Sequence, residues 1–190
     1  MDLPRVCIVS PAAAAENNGN AHTAARWQHM LAGLAKVEVA LSWKGQPVDA
    51  LVALHARRSA DTIARFRAAH PDAPLAVVLT GTDLYRDLPN EESARHSLHC
   101  ASHVVVLQEE ALKRLDAATR AKARCIVQSA TRIVRKDKSQ ATVDLVAVGH
   151  LREVKDPLTL MRAACALPLD SPVRAMQSRV APAGSPPSQR

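Results

Sequence analysis

Aromatic residues are nearly missing from this chain: two Trp, one Tyr and one Phe in 190 residues. That scarcity removes the stacking platform on which single-stranded nucleic acids are held. It also means that any interior is built from Ala, Val and Leu, which suits helices packed closely on a parallel sheet. Long apolar runs are lacking too, and none approaches the roughly 20 residues needed to span a bilayer. The amino-terminal MDLPRVCIVSPAAAAENN has no basic start followed by an extended apolar segment, so it does not read as a secretory signal. Cysteine is sparse. Cys7, Cys100, Cys125 and Cys165 are widely spaced, form no CxxC pair and have no histidine at metal-ligand spacing. These absences predict a cytoplasmic protein with reduced, mostly buried thiols, no membrane span, no metal and no cofactor motif.

The chain is 47% hydrophobic, enough for a packed core. Its net charge of +7 is concentrated: Ala111 to Lys138 carries nine basic residues against Asp116 and Asp137. A basic stripe can mark a nucleic-acid surface, but no recognition motif accompanies this one, so it reads as a solvated face and a linker.

Apolar runs alternate regularly with helical patterns. Strands are predicted at Val6 to Val9, Val37 to Leu41, Ala50 to Leu54, Leu75 to Leu79, Val104 to Leu107, Cys125 to Val127 and Val143 to Val148. Between them, Ala24, Trp27, Leu31 and Leu34 recur at helical spacing. Ser59 to Ala69, Glu92 to Ala101 and Glu109 to Ala123 complete the helices. Strands alternating with helices imply βαβ units and a doubly wound parallel sheet, an α/β fold of Rossmann-like type. Residues 1–130 read as one such domain, 131–142 as a polar linker, and 143–170 as the first βα unit of a second Rossmann-like domain. From Ser171 the chain is rich in Pro, Ser, Ala and Arg and is expected to be a disordered tail, 171–190. One βα unit cannot bury its own apolar face, so the second domain reads as incomplete unless a partner, such as a second copy in a homodimer, covers it.

Open α/β sheets bind ligands beyond the carboxyl ends of their strands, and four segments lie there. NNGNAHT, Asn17 to Thr23, offers Gly19 for close backbone approach and Asn20 or Thr23 to cap a helix whose free N–H groups face an anion; a simple capped turn is the alternative. LHARRS places Arg57 and Arg58 directly after a strand, as two planar forks for an oxyanion or as a solvated pair before Ser59. His55 beside them could serve as an acid or base, or be merely hydrogen-bonded. LTGTDLYRDL breaks from a buried strand into Thr80, Gly81, Thr82, Asp83 and Arg86, with Asp83 either facing a ligand or capping the next helical turn. VGHLREVKDP follows a strand with Gly149, His150, Arg152 and Lys155, cations suited to a diphosphate.

In these strings the chain resembles the GT-B glycosyltransferases of family 4. NGNAHTAARW, LVALHARRS, LTGTDLYRDL, VVVLQ and VGHLREVKDP are similar more narrowly to the selenosugar synthases of selenoneine biosynthesis, over roughly Arg5 to Leu167. The resemblance implies transfer of a sugar from a UDP-sugar to selenophosphate, giving a 1-selenosugar. It implies that the amino-terminal domain holds the acceptor anion, at Gly19, Asn20, Arg57, Arg58, Thr82 or Arg86, and that the second domain holds the donor. There Lys155 matches the lysine that meets the donor diphosphate, and Arg152 would add a second charge because His150 stands where arginine is common. The carboxylates that grip the donor in that family have no counterpart after Leu167, so the resemblance implies an impaired enzyme. A non-catalytic phosphate- or nucleotide-binding α/β module is the rival reading.

Overall fold

The computed structural model describes residues 2–11, 18–130, 132, 134, 137–149 and 153–178. The chain divides into two compact units, Met1–Ser129 and Ala130–Arg190.

The first unit is built on six parallel strands: β1 (Arg5–Val9), β2 (Lys36–Ala40), β3 (Ala50–Leu54), β4 (Leu75–Leu79), β5 (His103–Val106) and β6 (Ala123–Cys125). Their order across the sheet is β2-β1-β3-β4-β5-β6, with Ile8 opposite Val39 and Val52, and Ala53 opposite Val77. This is a Rossmann-like α/β fold. The inner strands β1, β3, β4 and β5 read as mostly apolar runs because both faces are covered, whereas the edge strand β2, KVEVA, alternates charged and apolar residues. Side chains alternate between the faces. Cys7, Val9, Leu51, Ala53, Val77 and Val104 join one core with Phe66 and Leu98, while Ile8, Leu54, Val78 and Val105 join another with Ala24 and Trp27.

Helix α1 (Gly19–Leu31) packs on β1 and β2, and α2 (Ala60–Ala69) packs on α4 (Glu92–Cys100). Trp43 closes the first core edge-on against Phe66, ring centroids 5.2 Å apart. Its indole N–H donates to the Gln46 carbonyl, which satisfies the one polar atom it buries.

Two segments depart from the expected helices. Asp83–Asp87 is a π-helical turn running into the short α3 (Leu88–Asn90). Glu109 to Ala123 is not one helix but a 3₁₀ segment, Glu109–Arg114, and then α5 (Ala117–Ala121). The break is set by Asp116, whose carboxylate accepts from the Thr119 N–H and hydroxyl, both at 2.8 Å, and so starts a new helix.

The second unit holds β7 (Val143–Val148), a 3₁₀ turn at Glu153–Lys155, α6 (Pro157–Cys165) and β8 (Val173–Ser178). β8 pairs parallel with β7, Val143 opposite Val173 and Val148 opposite Ser178. A strand therefore stands inside the segment expected to be disordered. VRAMQS alternates in burial along its length, a two-residue period that the Pro- and Ser-rich composition around it obscures; residues 179–190 lie outside the described ones. Among the described residues, no helix is long and apolar enough to cross a membrane. The cysteines are free, but only Cys7 is buried; Cys100 and Cys125 are half-buried and Cys165 is exposed. Burial, with Glu38 nearby, pushes the Cys7 thiol up to about 11, so it stays protonated at neutral pH.

Candidate oxyanion site at the carboxyl edge of the sheet

The chain runs outward from β1 to β2 and then crosses back to β3, so the strand order reverses between β1 and β3. The crevice outside such a reversal is where sheets of this kind bind ligands. The candidate site lies one strand over from that reversal, where the carboxyl ends of β3 and its neighbour β4 feed two loops, His55 to Ser59 and Thr80 to Asp87.

Asp83 ties these loops together. It is fully buried, and its carboxylate accepts four backbone N–H groups: Ala56 at 3.0 Å on one oxygen, and Thr80, Gly81 and Leu84 at 2.9, 2.9 and 3.1 Å on the other. With both oxygens occupied, Asp83 fixes the site rather than facing a ligand. Gly81 makes this turn at φ +121°, a conformation that L side chains rarely adopt.

Asp87, one turn further on, was not singled out by sequence. It is 3% exposed, accepts from the Arg57 Nε at 2.8 Å on one oxygen, and accepts from the Arg86 Nε at 3.0 Å on the other. Burial alone would raise the Asp87 carboxyl, yet the hydrogen bonds and charges of Arg57 and Arg86 outweigh it and hold it below the usual carboxylate range. The same hydrogen bond raises the Arg57 guanidinium above its ordinary value. Each arginine is thus gripped by its Nε, and among the described residues neither uses its terminal nitrogens in a hydrogen bond. Both remain solvent-accessible, at 35% and 61%. Two guanidinium groups on one buried carboxylate leave a net positive fork, the arrangement that recognises a tetrahedral oxyanion.

His55 sits behind this fork. Its φ of +70° is unusual for a non-glycine residue, and the ring is buried. Nδ1 accepts from the Arg58 N–H at 3.3 Å, which leaves the proton on Nε2. That Nε2 has no hydrogen-bond partner among the described residues and lies 3.8 Å from an Asp87 oxygen. Burial, with Arg58 and Arg57 adding to it, lowers the His55 pKa despite the opposing charges of Asp83 and Asp87. His55 is therefore a neutral ring held in a strained backbone conformation, and the sequence signal for it was only its place at a strand end.

The remaining residues fall in different surroundings. Arg58 is exposed, and its side chain makes no hydrogen bond or ion pair among the described residues. Ser59 does not cap α2; its hydroxyl donates back to the Leu54 carbonyl at 2.7 Å. Thr80 is half-buried and Thr82 exposed. At α1 the cap is Asn18 rather than Asn20 or Thr23: its side chain accepts from the Asn20 and Ala21 N–H groups, and the His22 N–H reaches its carbonyl. Those three donors are consumed within the turn. The Thr23 hydroxyl donates to the Gly19 carbonyl at 2.8 Å and accepts from Gln128, and among the described residues nothing beyond the helix's own backbone and the adjoining residues lies within 4 Å of where a Gly19 Cβ would be. In the second unit, the Gly149 N–H donates to the Ser178 carbonyl at 3.1 Å, and Lys155 is exposed. His150 and Arg152 lie outside the described residues. Among the described residues no cluster of His, Cys, Asp or Glu is placed to hold a metal ion.

No family model matches the chain, and no curated protein matches it.

Proposed function

We propose that this chain is a glycosyltransferase of GT-B type that transfers a sugar from a UDP-sugar to selenophosphate, with the weak turnover that the resemblance implies. The resemblance of its motif blocks supports the reading, and the observation that carries its acceptor half is the Arg57–Asp87–Arg86 cluster at the carboxyl edge of the sheet. Selenophosphate is a tetrahedral oxyanion, and two guanidinium forks are its natural receptor. The selenium already carries the electron pair that attacks the anomeric carbon. The new Se–C bond forms as the C–O bond to the diphosphate breaks, and no general base is needed. Negative charge grows on the departing UDP, where fixed cations do the catalytic work; Lys155, with Arg152, is assigned that role. His55, buried and neutral, is assigned no proton transfer; its ring holds the Arg58 N–H and so the loop that carries Arg57.

A second reading takes the first unit as a non-catalytic phosphate-binding module, favoured by the fact that the arginine cluster is assembled from that unit's residues alone. Following UDP release from a UDP-sugar, with and without selenophosphate, separates the two. Selenophosphate-dependent release supports the transferase; anion binding without release supports the module. Charge-assisted hydrogen bonds contribute about 1.5–3 kcal/mol each, so the Arg57→Ala, Arg86→Ala double variant should bind the anion at least tenfold more weakly. Unchanged binding in a folded double variant would refute both readings.

A further inference from the structure

The π-helical turn Asp83–Asp87 that shapes the oxyanion cluster also lines a second, separate cavity. It measures about 660 Å³ and lies among the turn, α3, α4 and the Glu109–Arg114 segment with α5. That volume is in the range of small-molecule pockets. Leu84, Leu88, Leu98 and Leu115 contribute aliphatic wall, and Tyr85 adds an exposed aromatic ring whose hydroxyl accepts from the Gln108 side chain.

The charges around it are unequal. Arg95 is held in place by the Leu88 and Pro89 carbonyls, at 3.0 and 3.2 Å. Arg114 is exposed and makes no hydrogen bond or ion pair among the described residues, and the nearby Glu110 pairs with Lys113 at 2.7 Å. Asp116 is the one lining carboxylate, and both its oxygens already accept from Thr119. The lining is thus apolar with a net positive rim and an uncompensated guanidinium.

We propose that this cavity binds a small amphipathic carboxylate, its aromatic or aliphatic body on the leucines and Tyr85, its charged end on Arg114. A bare phosphate has no apolar part to lie against Leu88 and the exposed Tyr85 ring, while Leu84, Leu98 and Leu115, each at most 5% exposed, floor the cavity. A neutral ligand would leave Arg114 unanswered. Amphipathic anions satisfy both conditions. The site is independent of the proposed transferase activity and would stand if that reading fell.

The test is a titration of the full chain with 4-phenylbutyrate, followed by amide chemical shifts. The shifts should saturate and cluster at residues 84–88, 95–98 and 114–119. Arg114→Glu, on a side chain that supports nothing in the fold, should weaken binding at least tenfold, and neutral 4-phenylbutanol should bind at least tenfold more weakly than the carboxylate. Arg58→Ala, at an exposed side chain that makes no hydrogen bond or ion pair among the described residues, should leave the affinity unchanged. Shifts centred on the apolar strand at residues 143–148, or affinities alike for acid and alcohol, would overturn the proposal. So would an unaffected Arg114→Glu variant.

Discussion

The two units use the same kind of strand in opposite circumstances. In β4, Val77 and Val78 are fully buried; in β7, Val146 and Val148 are 53% and 70% exposed. Both are runs of β-branched and aliphatic residues, the pattern of a parallel strand with a layer on each face. In the first unit six strands and helices on both faces supply those layers. In the second, the described residues supply one neighbouring strand and one helix. An apolar run therefore records the covering that a strand is suited to, and the surrounding topology decides whether that covering is present.

Substitutions at matched positions in the two units measure this contrast. Placing lysine at Val77 should have the largest effect, since it puts an unpaired charge in a dry core and should unfold the first unit, seen as loss of a cooperative urea transition. Asp83→Ala comes next. It strands the buried N–H groups of Ala56 and Leu84, each costing about 1–3 kcal/mol when left unsatisfied, and frees the half-buried N–H groups of Thr80 and Gly81, so a loss of about 2 kcal/mol or more is expected by chemical denaturation.

The third effect is one of pH. Because the folded His55 pKa is lowered from 6.5, the unfolded chain takes up a proton below that pH that the folded chain does not, and stability falls as the solution is acidified through 6.5. Asn tolerates a positive φ, so His55→Asn should keep the turn and flatten part of this slope. Urea midpoints at pH 7.5, 6.5 and 5.5 would show it, and identical slopes in the two proteins would count against a neutral buried ring. The smallest effect is expected for Val146→Lys, within about 0.5 kcal/mol of the parent, because that position faces solvent. A loss as large as that of Val77→Lys would mean that β7 is covered in solution.

Most of the sheet was legible from sequence because buried parallel strands leave apolar runs, and β3 and β4 begin and end where those runs do, whereas β6 is Ala123–Cys125 and not the Cys125 to Val127 run. The site was legible in part. A strand end followed by Arg57 and Arg58, or by Gly81 and Asp83, announces a loop at the sheet's carboxyl edge, but not which guanidinium meets which carboxylate. Asp87 lies thirty residues from Arg57, and only the adjacency of β3 and β4 brings them to 2.8 Å. The π-helical turn that sets Asp83 and Asp87 toward the same loop has no distinct periodicity. The cap residues read from sequence, Asn20 and Thr23, both missed Asn18, which lies in the same polar cluster and is the one chain geometry places at the helix start. The Asp116–Thr119 cap did carry a signal, an acid three residues before a threonine, hidden within an otherwise helical stretch.

The central claim is that Asp87 arranges Arg57 and Arg86 as an oxyanion receptor. It is tested most directly by calorimetric titration of inorganic phosphate into the parent chain and Asp87→Asn. Electrostatics alone would tighten binding when a carboxylate is removed. If Asp87 orients the two guanidinium groups, the folded variant should instead bind phosphate at least tenfold more weakly; equal or tighter binding would contradict the account.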